Sequence, residues 1–221
     1  MNGRVRVGVL VTGNGTNLQA LIEAARAPDY PAAISLVLSN NPAAYALERA
    51  RQAQIPAVVV DHARFPLREH LEQALLDTLR QHDVQLLCLA GFMRILSPGF
   101  LSSFGGPVLN IHPALLPSFP GLHAPRQALE HGVKISGCTV HLVDAGTDTG
   151  PIIIQAAVPV LPGDDEASLA GRILREEHHI YPLAVRWVAE EAITLRGRVV
   201  QLQGVPEVAD FALRNPGKRV P

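Results

Sequence analysis

Asn110 and His112 stand two residues apart in the segment Asn110-Ile111-His112-Pro113. On an extended backbone that spacing points both side chains to the same side. An amide beside an imidazole suits a reaction that builds negative charge on a carbonyl oxygen. The Asn side chain can donate to the oxyanion, and His can donate and move a proton near neutral pH. Proline and glycine hold the following Ala114–Gly121 stretch in an irregular loop. The plain alternative is a hydrogen-bonded histidine at a strand end. A second loop, Asp144-Ala145-Gly146-Thr147-Asp148-Thr149-Gly150-Pro151, offers carboxylates. One of them lying against His112 would favour the charged ring, although Asp and Gly are also ordinary turn formers.

Thr12-Gly13-Asn14-Gly15-Thr16-Asn17 follows an apolar run and opens a helical one. Its glycines permit a tight turn and close approach of a ligand, and a helix N-terminus offers free N–H groups to a phosphate. Thr16 and Asn17 could add hydroxyl and amide donors. The alternative is a tight strand-to-helix turn with Asn or Thr as its cap. A nicotinamide site fits poorly: the pattern lacks a third glycine, and the second strand ends in Ser39-Asn40-Asn41, without an acidic residue for a ribose. Glu177 shares a stripe with Ile173, Ile180 and Ala184. A carboxylate on an apolar face needs a partner, lines a cavity, or reaches water from an edge. Glu176-Glu177-His178-His179 is a poor metal motif, because consecutive helical residues diverge and no His-x-x-x-His pair accompanies them. No metal is expected.

The elements that must carry these residues alternate through the first half. Arg4–Val11, Ile34–Ser39, Ala57–Val60, Val84–Ala90 and Val108–Ile111 read as strands, and Asn17–Ala27, Ala43–Gln54 and Leu67–Arg80 as helices. That order predicts a mostly parallel sheet, which binds ligands beyond the carboxyl ends of its strands. Ser136–Leu142 and Ile152–Val160 predict an antiparallel hairpin. A long helix should start at Asp164 or Asp165 and reach about Ala189, kinked or interrupted at Pro182. Thr194–Leu202 predicts a terminal hairpin about Arg196-Gly197, and the tail from Pro206 reads as irregular.

The chain has 221 residues, 48% hydrophobic, with net charge −1. It is long enough to bury a core and carries no basic field to attract nucleic acid. Cys88 and Cys138 lie in apolar runs and read as buried thiols in a reducing compartment. No signal-peptide pattern and no membrane-spanning run is recognisable, so a cytoplasmic location is the default expectation. One domain is expected.

Taken together, TGNGTNLQALI, SNNPAAYALERA, LAGFMRILSP, NIHPALLPSFPGLHAPRQAL, DTGPIIIQ and EEHHIYP resemble the phosphoribosylglycinamide formyltransferases, folate-dependent enzymes of purine synthesis. The resemblance runs from Arg4 to about Trp187. NIHPALLPSFPG is specific to folate-formyl enzymes, and GNGTN narrows it to the ribonucleotide branch. Neither the extra C-terminal domain of methionyl-tRNA formyltransferases nor the N-terminal regulatory domain of formyltetrahydrofolate deformylases is expected. The resemblance implies a formyltransferase fold: a Rossmann-like α/β sheet, with a phosphate-binding half over about 1–105 and a folate-binding, catalytic half over about 106–205. It implies Asn110, His112 and Asp148 as the catalytic trio. Gly15, Thr16, Asn17, Leu174, Arg175, Glu176 and Glu177 would meet the ribonucleotide. Arg68, Met93, Arg94, Ile95, Leu96, Asn110 and the loop Asp144, Ala145, Gly146, Thr147, Asp148 would meet the folate, where apolar side chains suit a flat ring.

Three positions depart from the family. Thr16 stands where many relatives carry Ser, Pro125 where many carry a second His after His123, and Leu174 where a polar residue is common. The expected reaction is direct formyl transfer from 10-formyltetrahydrofolate to the amine of 5′-phosphoribosylglycinamide, by a monomer or homodimer without metal. The rivals are a hydrolase releasing formate, which would leave GNGTN without a purpose, a nicotinamide oxidoreductase, and a non-catalytic folate-binding module.

Overall fold

A computed structural model describes residues 3–204 together with Leu213 and Asn215. Strands β1 (Val5–Val11), β2 (Ala32–Ser39), β3 (Ala57–Val59), β4 (Leu86–Leu89), β5 (Val108–His112), β6 (Ile135–Leu142) and β7 (Ile152–Pro159) form one seven-stranded sheet, in the order β3-β2-β1-β4-β5-β6-β7. The β3 to β5 side is parallel. Strands β6 and β7 run antiparallel to their neighbours. This is the expected α/β sheet with its antiparallel hairpin. Alternation along the strands feeds two cores. Val7, Val9, Val11, Leu86, Cys88, Leu109 and Ile111 pack with α1 (Thr16–Ala25), α2 (Ala46–Gln52) and α6 (Glu166–Ala189). Leu10, Leu36, Leu38, Leu87, Leu89 and Val108 pack with α3 (Arg68–Gln81) and α4 (Pro98–Phe104). On β5, Asn110 and His112 share the second face with Val108, as the period-two spacing requires.

Helices α4 and α5 (Ala124–Glu130) were not anticipated. Each has seven residues, too few to show a periodic stripe. Helix α4 is delimited by its caps: Ser97 accepts from the Phe100 N–H before Pro98, and Gly105 ends it at φ 73°. Helix α2 is shorter than the expected Ala43–Gln54, because Asn41 folds the preceding backbone into a turn by accepting from Ala43 N–H at 3.0 Å.

Helix α6 starts as expected, with Asp165 and Ser168 forming a reciprocal capping box. Pro182 does not interrupt it. Burial of Ile180, Tyr181, Ala184 and Val185 on the sheet outweighs the missing N–H, and Tyr30 Oη donates to the Pro182 carbonyl at 2.7 Å. The fully buried Tyr181 hydroxyl faces the carbonyls of Leu89 and Leu109 at 2.9 and 3.2 Å, tying α6 to β4 and β5.

The terminal hairpin consists of β8 (Ile193–Arg196) and β9 (Val199–Leu202), turned at Gly197 with φ 61°. Arg198 in this turn donates to the Thr149 carbonyl. The expected irregular tail from Pro206 lies outside the described residues, apart from Leu213 and Asn215.

Candidate active site

Strand β5 delivers Asn110 and His112 to the end of the sheet, beside β6. Asp148 arrives from the loop between β6 and β7, with its backbone in the left-handed region at φ 54°. Its carboxylate is the hub. Oδ2 lies 3.4 Å from His112 Nδ1 and accepts the Gly121 N–H at 2.8 Å. Oδ1 lies 3.4 Å from Asn110 Nδ2 and 3.7 Å from His141 Nε2. Burial alone would raise this carboxyl. Contact with His141, the Gly121 N–H and the nearby imidazole charges outweigh burial and hold it below its ordinary value of 3.8. His112 is 4% exposed. Its Nε2 lies 2.8 Å from the Phe119 carbonyl, which leaves Nδ1 on the Asp148 side. The three residues expected to act together therefore meet.

His141 was missed. It is buried directly across from Asn110 in the β5–β6 register, with Nε2 3.2 Å from Asn110 Nδ2 and Nδ1 2.9 Å from the Leu142 carbonyl. The string SGCTVHL signals a strand but not its partner, so only the register reveals this contact. The Gly121 N–H and Phe119 carbonyl were equally hidden. Gly121 and Phe119 both have positive φ, at 82° and 55°, so this irregular loop turns its backbone toward the site.

Gly15 opens α1 with φ 72°, and a Cβ there would lie 2.6 Å from that of Ala46. Only glycine lets α2 pack this closely on the loop. No side chain caps α1, and its first turn has no acidic residue. That favours the anion-binding reading over a self-capped turn. Asn17 is buried and donates its amide to Glu177 Oε2 at 2.7 Å, so the residue expected to offer that N–H to a phosphate spends it on Glu177. The Asn17 Oδ1 atom is buried without a partner. Burial pushes the Glu177 carboxyl above its ordinary value, against the opposing bond from Asn17. Glu177 is thus not an edge residue reaching water. Its neighbours on α6 diverge: Leu174 is half-buried, Arg175 is exposed, and Glu176 lies 3.6 Å from His179.

Among the residues expected to meet folate, Met93, Arg94 and Ile95 are exposed on an irregular stretch after β4. The Leu96 side chain instead belongs to the second core. Arg68 opens α3 and bonds to Glu72 and the Ile95 carbonyl. In the Asp144–Asp148 loop, Asp144 Oδ1 accepts from Gly146 N–H at 3.0 Å and Thr149 Oγ1 at 2.6 Å. Ala145, Gly146 and Thr147 are exposed.

The formyl transferase family model matches residues 5–185. Phosphoribosylglycinamide formyltransferase of Escherichia coli (strain K12) is 42% identical over 90% of this chain and 94% of its own length. The trifunctional purine biosynthetic protein adenosine-3 of Drosophila melanogaster is 53% identical over 82% of this chain, which spans only 14% of that longer protein. The crystal structure of glycinamide ribonucleotide transformylase 1 from Symbiobacterium toebii superposes with a TM-score of 0.89 at 50% identity, covering 92% of this chain and 96% of that one. In sequence, in fold and in the segments that build its site, this chain belongs to the formyl transferase family, within its phosphoribosylglycinamide formyltransferase branch.

Proposed function

We propose that this chain transfers the formyl group of 10-formyltetrahydrofolate to the primary amine of 5′-phosphoribosylglycinamide, releasing tetrahydrofolate and formylglycinamide ribonucleotide. The observation that carries the reading is the convergence of Asn110, His112 and Asp148, from β5 and the β6–β7 loop, on one carboxylate hub. As the amine attacks the formyl carbon, the carbonyl electron pair moves to oxygen. The Asn110 amide and His112 Nδ1 stabilise that oxyanion. Asp148, kept ionised by its donors, accepts the proton released by the attacking nitrogen, directly or through a water. The proton taken up by Asp148 passes on to folate N10, and collapse of the tetrahedral centre then returns the electron pair and breaks the bond to that nitrogen. No covalent enzyme intermediate is needed.

In this reading Gly15 and Thr16 hold the ribonucleotide phosphate at the uncapped start of α1. Glu177, positioned by Asn17, faces the ribonucleotide, with Leu174, Arg175 and Glu176 leading up to it on α6. Met93, Ile95 and the Asp144–Asp148 loop flank the folate, and Arg68 and Arg94 supply charge beside it. One sheet spans both halves, which supports a single functional domain. Among the described residues no helix is long and apolar enough to cross a membrane. A cytoplasmic setting is part of this reading.

The test is consumption of 10-formyltetrahydrofolate, followed spectroscopically with and without the ribonucleotide, with product identified by mass spectrometry. Ribonucleotide-dependent consumption yielding a formylated amine is expected. Equal consumption without the ribonucleotide, releasing formate, would place the chain with hydrolases and reduce the α1 loop to a turn.

A further inference from the structure

The stretch from Gly91 to Ser97 is neither helix nor strand, so its shape is imposed from outside. It is held at three points. Met93 N–H donates to Thr12 Oγ1 at 3.0 Å. The Ile95 carbonyl accepts from Arg68 Nη2 at 2.6 Å. Ser97 donates through its N–H to Glu72 Oε1 at 2.8 Å and through its hydroxyl to Glu72 Oε2. Two of these anchors belong to the first turns of α3 and are themselves joined, because Arg68 Nε donates to Glu72 Oε1 at 2.9 Å.

Glu72 is only 7% exposed, among Leu71, Leu75, Leu76 and Leu79 on the buried face of α3. An ionisable group there is costly unless fully hydrogen-bonded. Its carboxylate is matched by the Arg68 guanidinium and both Ser97 donors. Neither the formyl-transfer chemistry nor the ribonucleotide contacts use it. Its arrangement does two things together. It fixes the start of α4 at Ser97, and it orients the Arg68 guanidinium so that Nη2 reaches the Ile95 carbonyl. With Met93 tied to Thr12, Ile95 to Arg68 and Ser97 to Glu72, the side chains of Met93 and Ile95 stand 63% and 60% exposed as an apolar lip.

We propose that Glu72 is a positioning residue for the folate donor, holding Arg68 and the Met93–Ser97 stretch in the shape that receives the folate ring. It touches no reacting atom. The proposal rests on the formyl-transfer reading above. A carboxylate that merely stabilised α4 would affect melting without distinguishing one substrate from the other.

The test is Glu72→Gln in the full chain, with kcat, both KM values and the melting temperature measured. The folate KM is expected to rise about tenfold or more, as loss of geometry typically costs. The ribonucleotide KM should stay within about twofold, since α1 and Glu177 are untouched. Glu72→Asp, which keeps the charge at shorter reach, should give an intermediate folate KM. If Glu72→Gln does not fold, Ser97→Ala removes one tie and should shift the same constant in the same direction. Unchanged KM values, or equal rises in both, would overturn the proposal. Calorimetric binding of 5-formyltetrahydrofolate separates this failure from failure of the formyl-transfer reading. If wild type binds the folate without ribonucleotide-dependent turnover, that reading falls while Glu72 is still tested. Equal affinity in wild type and Glu72→Gln, or no folate binding by wild type, would overturn the role of Glu72.

Discussion

Asp148 gathers, in one carboxylate, the contacts that make Asn110 and His112 a unit. On the proposed mechanism, removing the Asn110 amide or the His112 ring takes away a donor to developing charge. His112→Ala and Asn110→Ala should therefore each cut turnover by at least about 100-fold while the fold survives. Steady-state kinetics beside circular dichroism check this, and a well-folded His112→Ala protein with near-normal turnover would refute the role. Asp148 also links the site to stability. Its folded carboxyl is held below the ordinary 3.8, so the ionised form stabilises the native state fully above that value and loses this contribution as pH falls through the lower folded value. Asp148→Asn should thus show a stability deficit at neutral pH that shrinks under acid, measured by denaturant unfolding from pH 7 to about pH 3. A deficit constant across that range would mean that charge is not what Asp148 contributes. The Asn110/His112 pair was legible because a spacing of two fixes side on a strand. The opposing His141 was not, since the pairing of β5 with β6 is set by tertiary register. Glu72 was hidden for the same reason: beside Arg68 one turn earlier, its other donors come from Ser97, 25 positions away.

At the scale of elements, the contact between α1 and α2 at Gly15 carries the clearest consequence. Gly15→Ala places a Cβ at φ 72° and within 2.6 Å of the Ala46 Cβ. Backbone strain of this kind costs about 1–3 kcal/mol. The variant should lose at least that much stability in urea and bind the ribonucleotide more weakly in calorimetry. Wild-type values for both would mean that the loop accommodates a side chain by shifting. The strands and long helices were legible because their apolar periods extend over several residues. Helices α4 and α5 were not, being under two full turns and so too short to show a face. The uninterrupted α6 shows the converse, with packing overriding a local breaker.

For the molecule as a whole, the two free cysteines report on how the cores open. Burial pushes the Cys88 thiol up to about 12, and burial likewise raises Cys138, so neither offers a thiolate at neutral pH. A disulfide-exchange reagent should leave both unmodified in the native protein and modify both on denaturation, as followed by mass spectrometry. Rapid native labelling of one would locate a region that opens without global unfolding. The sequence reading of both cysteines as buried thiols agrees with their free, buried state.

Tyr181 sits one helical turn beyond Glu177, and its hydroxyl is fastened to Leu89, at the end of β4, and to Leu109, within β5. Leu109 immediately precedes Asn110, and Leu89 lies beside Asn110 in the parallel register. The phenol therefore works as a dowel that stops α6 from sliding along its axis. A bar of four residues, about 6 Å long, then gauges the separation between the carboxylate proposed to face the ribonucleotide and the strand proposed to react with its amine. The span that the substrate must bridge is machined into the helix rather than left to the loops.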